Sequence, residues 1–130
     1  MAKSVNASDL FSRCMAKSVD ERLTATTVAT YITSPFTIHC NKFAPADERD
    51  EMTEYQKLLF QRGNEHETQI VSDNYPDMAT IPFSTPEDGF RLAIESMVSG
   101  TDALHGMPIY YLPDGLYGVA DILEKSNTHS

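Results

Sequence analysis

The 130-residue sequence is poor in cysteine and has no long hydrophobic segment. Its two cysteines, Cys14 and Cys40, are too few for a quartet of metal ligands or a disulfide framework, and neither has a CxxC neighbour. No apolar run approaches the ~20 residues that cross a membrane, and the first residues do not lead into the apolar core of a secretory signal. We therefore expect reduced thiols, no membrane span and a cytoplasmic location.

Positive charge is also scarce. The chain has ten Lys and Arg against nineteen Asp and Glu, which gives a formal net charge of −9. Proteins that hold nucleic acid normally present a basic face, because phosphate contacts supply much of the affinity. Contact with DNA by this chain alone is therefore expected to be weak. Part of the acidic excess lies in residues 47–54, which is typical of a solvated helix start, where carboxylates favour the positive end of the helix dipole.

The sequence does contain enough apolar residues for a core. Its 41% hydrophobic and 22% charged residues are values of an ordinary globular protein, and a chain of this length buries roughly two-thirds of its unfolded surface. The pentapeptide Met-Ala-Lys-Ser-Val occurs at residues 1–5 and again at 15–19, and two such short copies are a local duplication rather than a structural repeat. We predict that residues 1–20 form a flexible lead-in with a short helix over residues 7–14.

Three longer helices are predicted from hydrophobic spacing and capping residues. The first covers residues 24–33 and ends before Pro35, because the residue before a proline is disfavoured in a helix. The longest runs from Asp50 to about Ser72, with apolar residues at three- and four-residue steps, so that His66 would face inward. The third begins at Thr85-Pro86, a favoured cap and first position, and ends at Gly100. Residues 35–45 are predicted to be an extended arm or an irregular turn of helix.

The C-terminal part of the chain is predicted to be a β-hairpin. Residues 103–112 and 116–124 read as antiparallel strands around a tight turn at residues 113–115, laid against the preceding helix. The buried stripe of that helix is expected to comprise Phe90, Leu92, Ala93, Met97 and Val98. The predicted fold class is therefore α/β, with helices packed on a small sheet. Residues 21–125 would form the domain and residues 126–130 a polar tail.

Two side chains are candidates for a functional site. His66 lies in the helical segment 62–67, and Asp121 lies among apolar residues in the last strand, 117–123. A carboxylate in such surroundings is costly to bury without a partner, and a perturbed carboxylate often marks a site. A lone histidine on an inward helix face is usually a hydrogen-bonded core group, so both a structural role and a ligand role stay open for His66.

The order of these segments resembles the RecB-like branch of the PD-(D/E)xK nuclease superfamily over about residues 24–125. The motifs that carry the resemblance are residues 31–35, 61–67, 109–112 and 118–123. The resemblance implies a restriction-endonuclease-like sheet covered by helices, of which this chain would hold an incomplete part. It also makes His66 and Asp121 metal ligands and catalytic residues, with Mg²⁺ or Mn²⁺ as the cofactor and DNA as the substrate. Carboxylate oxygens suit both cations and manganese also accepts imidazole, whereas the role of Glu67 stays open.

The sequence departs from this family after Asp121. Family members continue into a strand with an acidic-x-lysine pair, whereas here Glu124 directly precedes Lys125, and adjacent residues of a strand point to opposite faces. Ser34 stands where relatives with an iron–sulfur cluster have a cysteine, so no cluster is implied. We therefore interpret the chain as a truncated or partial RecB-like deoxyribonuclease domain, expected to be inactive alone.

Two alternative interpretations stay open. In one, the remaining strands come from a second polypeptide, so that a working nuclease assembles from two chains. In the other, the chain is a small acidic α/β protein-interaction module. In each case the strand at 116–124 would leave an unpaired edge, and such edges recruit other strands. The expected partners are a second copy of this chain, a complementing C-terminal half and, weakly, DNA.

Overall fold

A computed structural model of the chain describes residues 4–78 and 80–126. Within them it is a mixed α/β structure with one two-stranded antiparallel sheet. The helices are α1 (Ala7–Cys14), α2 (Ala25–Thr33), α3 (Pro35–Phe43), α4 (Glu54–Asn74) and α5 (Pro86–Val98), and the strands are β1 (Ala103–Tyr111) and β2 (Leu116–Glu124). Short 3-10 turns cover Ala46–Glu48 and Leu112–Asp114. In this part of the chain, none of the helices combines the length and the apolar character that crossing a membrane requires.

The chain divides into two compact units, Met1–Val28 with Met78–Ser130, and Ala29–Asp77. The core of the first unit lies between α5 and β1. Its buried side chains, each at most 3% exposed, are Phe90, Ala93, Ile94, Leu104, Met107 and Tyr110. The helix α1 packs on the same core, with the ring of Phe11 at 5.8 Å from that of Phe90. The predicted short helix at residues 7–14 thus forms, and it belongs to the packed part of the unit.

The helix α5 begins where the sequence predicts, and two residues of its predicted buried stripe, Phe90 and Ala93, are buried. Thr85 Oγ1 accepts the N–H of Asp88 at 3.2 Å, and Pro86 follows at the first helical position. The prediction of Met97 and Val98 as buried is wrong, because both are 44% exposed. The prediction also missed Ile94, which is buried beside Phe90 and Ala93.

The hairpin confirms the predicted strands and turn. Its register runs from Ala103 opposite Glu124 to Tyr111 opposite Leu116. Gly115 closes the turn with φ of 69°, the left-handed region that favours glycine. Leu23 then pairs in parallel with the start of β2, since its N–H donates to the Gly115 carbonyl at 2.7 Å and its carbonyl accepts the N–H of Tyr117 at 2.9 Å.

The second unit holds α3, α4 and most of α2, and none of its residues is buried. Of the two alternatives predicted for residues 35–45, the structure has the helical one, because Pro35 occupies the favoured first position of the helix α3. The helix α4 begins four residues later than predicted, since Thr53 caps it. The hydroxyl of Thr53 accepts the N–H of Gln56 at 3.2 Å, and the Gln56 side chain accepts the N–H of Thr53 at 2.9 Å.

Candidate functional site

Asp121 lies on β2 with its side chain exposed. The sequence predicts an expensive burial among apolar neighbours, but Val119, two residues before it, is also 56% exposed. The reason is that α5 packs on β1 rather than on the middle of β2. An exposed carboxylate is solvated by water, so the desolvation argument for a site at Asp121 does not hold.

The backbone at Asp121 is nevertheless unusual. In the β1–β2 register, Asp121 lies opposite Gly106, but the two residues do not pair. The pairs on either side, His105 with Ile122 and Met107 with Ala120, keep one and the same register. Gly106 has φ of 66°, a conformation that other residues rarely adopt. The Tyr117 N–H points outward to Leu23, whereas the Lys125 N–H donates to Asp102 beside β1. Along an antiparallel strand, every second N–H points toward the partner strand, so residues 117 and 125 should point the same way. Here the Tyr117 N–H points away from β1 and the Lys125 N–H points toward it, so the alternation is interrupted between them, and the unpaired Asp121 lies at that interruption.

His66 lies on α4 in the second unit, and its side chain is exposed. The prediction that it faces inward is therefore wrong. Hydrophobic spacing fixes which residues share a helix face, but it does not supply an element to cover that face, and α4 has no buried residue. A Cβ atom added at Gly63, three residues before His66, would also have no neighbour within 4 Å.

The two predicted metal ligands lie in different units of the chain. Across residues 4–78 and 80–126, no group of three or more His, Cys, Asp or Glu side chains could hold a metal ion. Magnesium requires near-octahedral oxygen coordination and is usually held by one or two carboxylates together with water or phosphate oxygens. The described residues do not form such a donor set by themselves, and the metal role of His66 and Asp121 stays a prediction.

A cluster that the sequence did not indicate surrounds Tyr110. The guanidinium carbon of Arg22 lies 5.6 Å from the ring centre of Tyr110 and 5.3 Å from that of Tyr117, and the two rings are 4.7 Å apart. The Tyr110 hydroxyl is buried, and no hydrogen-bond partner for it occurs among the described residues. Burial, followed by the negative charge of Glu87, raises the pKa of Tyr110 above its usual value, although Glu87 does not reach the hydroxyl in hydrogen-bond geometry. The hydroxyl therefore stays protonated at neutral pH.

An apolar groove of about 480 Å³ lies beside β2 in the first unit. Its lining includes Leu23, Val28, Ile109, Tyr111, Leu116 and Val119. Because the Tyr117 N–H points outward, the alternation also turns the Val119 N–H outward. Outside the β1–β2 ladder, no backbone partner for that N–H is found in the part of the chain that the structure describes. The outer edge of β2 thus runs along the groove, and the Val119 N–H on that edge can donate a hydrogen bond to a bound segment.

The outer edge of β1 differs from that of β2 at the same level. Pro108 lies opposite Val119 and has no N–H, so β1 presents no donor there. Pro108 is also buried, at less than 2% exposure. Proline is one of the devices that block pairing at a sheet edge. At this level, the outer edge that carries a donor is therefore that of β2.

Comparisons with protein-family models, with curated proteins and with solved structures find no match to this chain. The functional argument therefore rests on the geometry of its residues, and the RecB-like resemblance stays a prediction.

Proposed function

We propose that the chain is a small acidic protein-interaction module that adds an extended segment of a partner protein to the outer edge of β2. The observation that carries this proposal is the pairing of Leu23 with Gly115 and Tyr117. Leu23 already makes the two main-chain hydrogen bonds that a residue of an added strand would make at this edge. The chain then turns away into α2, because Thr24 Oγ1 accepts the N–H of Thr27 at 3.1 Å and caps that helix.

The groove beside β2 supports this mode of binding. In strand addition, main-chain hydrogen bonds supply affinity, while pockets for alternate side chains supply specificity. The volume of about 480 Å³ is within the range of roughly 300–1,000 Å³ that is typical of ligand pockets. Apolar side chains such as Ile109 and Leu116 line it. A segment paired with β2 could therefore place every second side chain in an apolar setting.

The charge of the edge favours a basic or neutral segment. Asp121 and Glu124 both lie on β2, and the whole chain carries −9. A second β2 would bring the same two carboxylates to the contact, and like charges opposite each other destabilise a strand pair. A lysine opposite Asp121 would instead form an exposed ion pair, which contributes about 0.2–1 kcal/mol. We therefore assign the partner segment a basic, extended character.

A synthetic peptide of alternating lysine and valine is a direct probe of this edge. We expect it to bind with a dissociation constant on the order of 100 µM, as in weak, transient contacts, and to shift the amide resonance of Val119 in NMR titrations. Two changed peptides, one with a central proline and one with glutamate in place of lysine, should bind about tenfold more weakly or worse.

A pair of protein variants provides the matched control. Val119→Pro removes the outward N–H and should weaken the lysine–valine peptide by about tenfold, whereas Val119→Thr keeps the N–H and should retain binding. Circular dichroism of both variants checks that the hairpin is intact. Equal binding by the two variants, or by the proline-containing and proline-free peptides, would place the peptide elsewhere and refute strand addition.

A second candidate function is the metal-dependent RecB-like nuclease chemistry implied by the sequence motifs, on a restriction-endonuclease-like sheet. The position of Asp121 at the interruption opposite Gly106 favours it, since sheet irregularities are over-represented next to active sites. A divalent cation held by Asp121 would supply a bound water of lowered pKa. Without an acidic-x-lysine pair, the chain is expected not to cleave DNA alone, because the nucleophile is not positioned.

Metal titration tests this second candidate. If Asp121 binds the cation with a dissociation constant of about 1 mM, then ~10 mM MgCl₂ or MnCl₂ stabilises the fold by about 1.4 kcal/mol and raises the melting temperature. Asp121→Asn should remove this response, whereas Asp114→Asn, in the exposed turn, should keep it. A response that Asp121→Asn leaves unchanged would eliminate the assignment, and metal-dependent DNA cleavage by the parent chain would contradict its expected inactivity.

A further inference from the structure

Nothing among the described residues requires a glycine at position 118, in the middle of β2. A Cβ atom at Gly118 would meet nothing within 4 Å there, and its φ is not positive. The other glycines of the first unit have a reason inside the chain, since Gly89 lies against the Phe83 ring and the remaining three have positive φ. A glycine weakens a strand interior, and one found there often marks the close approach of a ligand or another backbone.

Gly118 belongs to the face of the sheet that borders the groove beside β2. Residues directly opposite each other on paired strands share a face, as does every second residue along a strand. Gly118 pairs with Ile109 and Leu116 pairs with Tyr111, so these four residues lie on one face, and all four line the groove. Ala120 follows on the same face. Beyond Leu116, the groove therefore has only small side chains from β2 and large apolar ones from β1.

Leu23 shows which kind of side chain this face accepts from a neighbouring strand. It pairs with Leu116, so its side chain lies on the same face, and it lines the groove. The chain then turns into α2. The next groove-facing position along the edge lies opposite Gly118, beside the outward N–H of Val119. A segment added to the edge continues from Leu23 and places its own side chain at that position.

We propose that the groove binds an aromatic side chain of the added segment, placed directly opposite Gly118. Neighbouring strands lie about 4.8 Å apart, so a ring that crosses over Gly118 reaches Ile109 on β1. Aromatic side chains cover edge glycines of β-sheets in this way. The groove of about 480 Å³ has room for the ring, since an apolar cavity of roughly 150 Å³ holds benzene. Any larger residue at position 118 would occupy the path of the ring.

This inference rests on the proposed strand addition at β2 and defines the partner segment more closely. The segment is extended and basic, with an aromatic residue on its groove side. Its lysines alternate with the groove-facing residues and therefore point away from the groove into solvent. There they are attracted by a chain whose formal net charge is −9.

Three peptides that differ at one position measure the preference. The central valine of the alternating lysine–valine peptide is kept, or replaced by phenylalanine or alanine. The phenylalanine peptide should bind the parent chain about 30-fold more tightly than the alanine peptide, because it buries more apolar area. In Gly118→Val this ratio should fall below about threefold, because the valine blocks the ring. Gly63→Val on α4 is the matched control and should keep the full ratio, since a Cβ atom there also meets nothing within 4 Å.

NMR of the parent chain gives a geometric measurement that does not depend on the glycine variants. Nuclear Overhauser effects should join the ring protons of the phenylalanine peptide to the methyl groups of Ile109 and the α-protons of Gly118. Their absence would overturn the inference. Circular dichroism checks that Gly118→Val keeps the hairpin, as expected because valine favours strands.

The outcomes separate this inference from the strand addition on which it rests. Equal binding of the phenylalanine and alanine peptides, with both lost in Val119→Pro, would remove the aromatic site and leave strand addition intact. A preference for phenylalanine that Gly118→Val retains would also remove the site. Binding that Val119→Pro leaves unchanged, or no binding of any of the three peptides, would refute both proposals.

Discussion

Replacing Gly115 by alanine is expected to lower the free energy of unfolding by about 2–4 kcal/mol. Gly115 has φ of 69°, and a left-handed conformation alone costs a residue with a side chain roughly 1–2 kcal/mol. A Cβ atom there would also overlap the backbone oxygen of Glu21 and lie 2.7 Å from Cγ2 of Val19. The oxygen belongs to the main chain, so the overlap is relieved only by moving the whole segment at residues 18–23.

That movement would break the contacts that join this segment to the hairpin. Leu23 bonds to Gly115 and Tyr117, and the Ser18 hydroxyl donates to the carbonyl of Pro113. Urea unfolding followed by circular dichroism measures the loss. Gly118→Ala is the control, because a Cβ atom there meets nothing within 4 Å, and it should change stability by less than about 1 kcal/mol. A loss of only about 1–2 kcal/mol in Gly115→Ala, the cost of the left-handed conformation alone, would show that residues 18–23 do not hold the turn in solution.

The parts of the fold that sequence predicts well have signals confined to a few neighbouring residues. The turn at 113–115, the cap and first residue at Thr85-Pro86 and the stop before Pro35 each act within one turn of chain. The helix α3 was harder to predict, because Ile38 and Cys40 alternate with polar residues as they would in a strand. In this segment Pro35, a favoured first residue of a helix, determines the structure, and the alternation does not.

The candidate sites depend on contacts that local patterns do not encode. The spacing of α4 predicts an inward His66, but whether a helix face is covered depends on elements elsewhere in the chain. The apolar neighbours of Asp121 predict burial, but only the packing of α5 on β1 decides which strand is covered. Leu23 pairs with Leu116, and Arg22 stacks on Tyr110, so both contacts join residues far apart in sequence. The sequence around Leu23 or Arg22 does not indicate which residue it will contact.

The contrast between the two units leads to the last prediction, which compares Ile94→Ala with Leu58→Ala. Ile94 is 2% exposed and packs with Phe90 and Tyr110, whereas Leu58 on α4 is 45% exposed. Both substitutions place alanine in a helix and remove a similar number of methyl groups, so helix propensity changes in the same direction. Ile94→Ala should lower the free energy of unfolding by about 2–5 kcal/mol, because a cavity is left in the core.

Leu58→Ala should change the free energy of unfolding by less than about 1 kcal/mol, since Leu58 is 45% exposed and belongs to neither buried core cluster. A small domain has only about 5–15 kcal/mol of stability in total, so the Ile94 variant loses a large share of it and its urea midpoint falls accordingly. A Leu58 variant as unstable as the Ile94 variant would mean that α4 is covered in solution. Repeating both measurements at several protein concentrations identifies the cover, because stabilisation by a second copy grows with concentration and a contact within one chain does not.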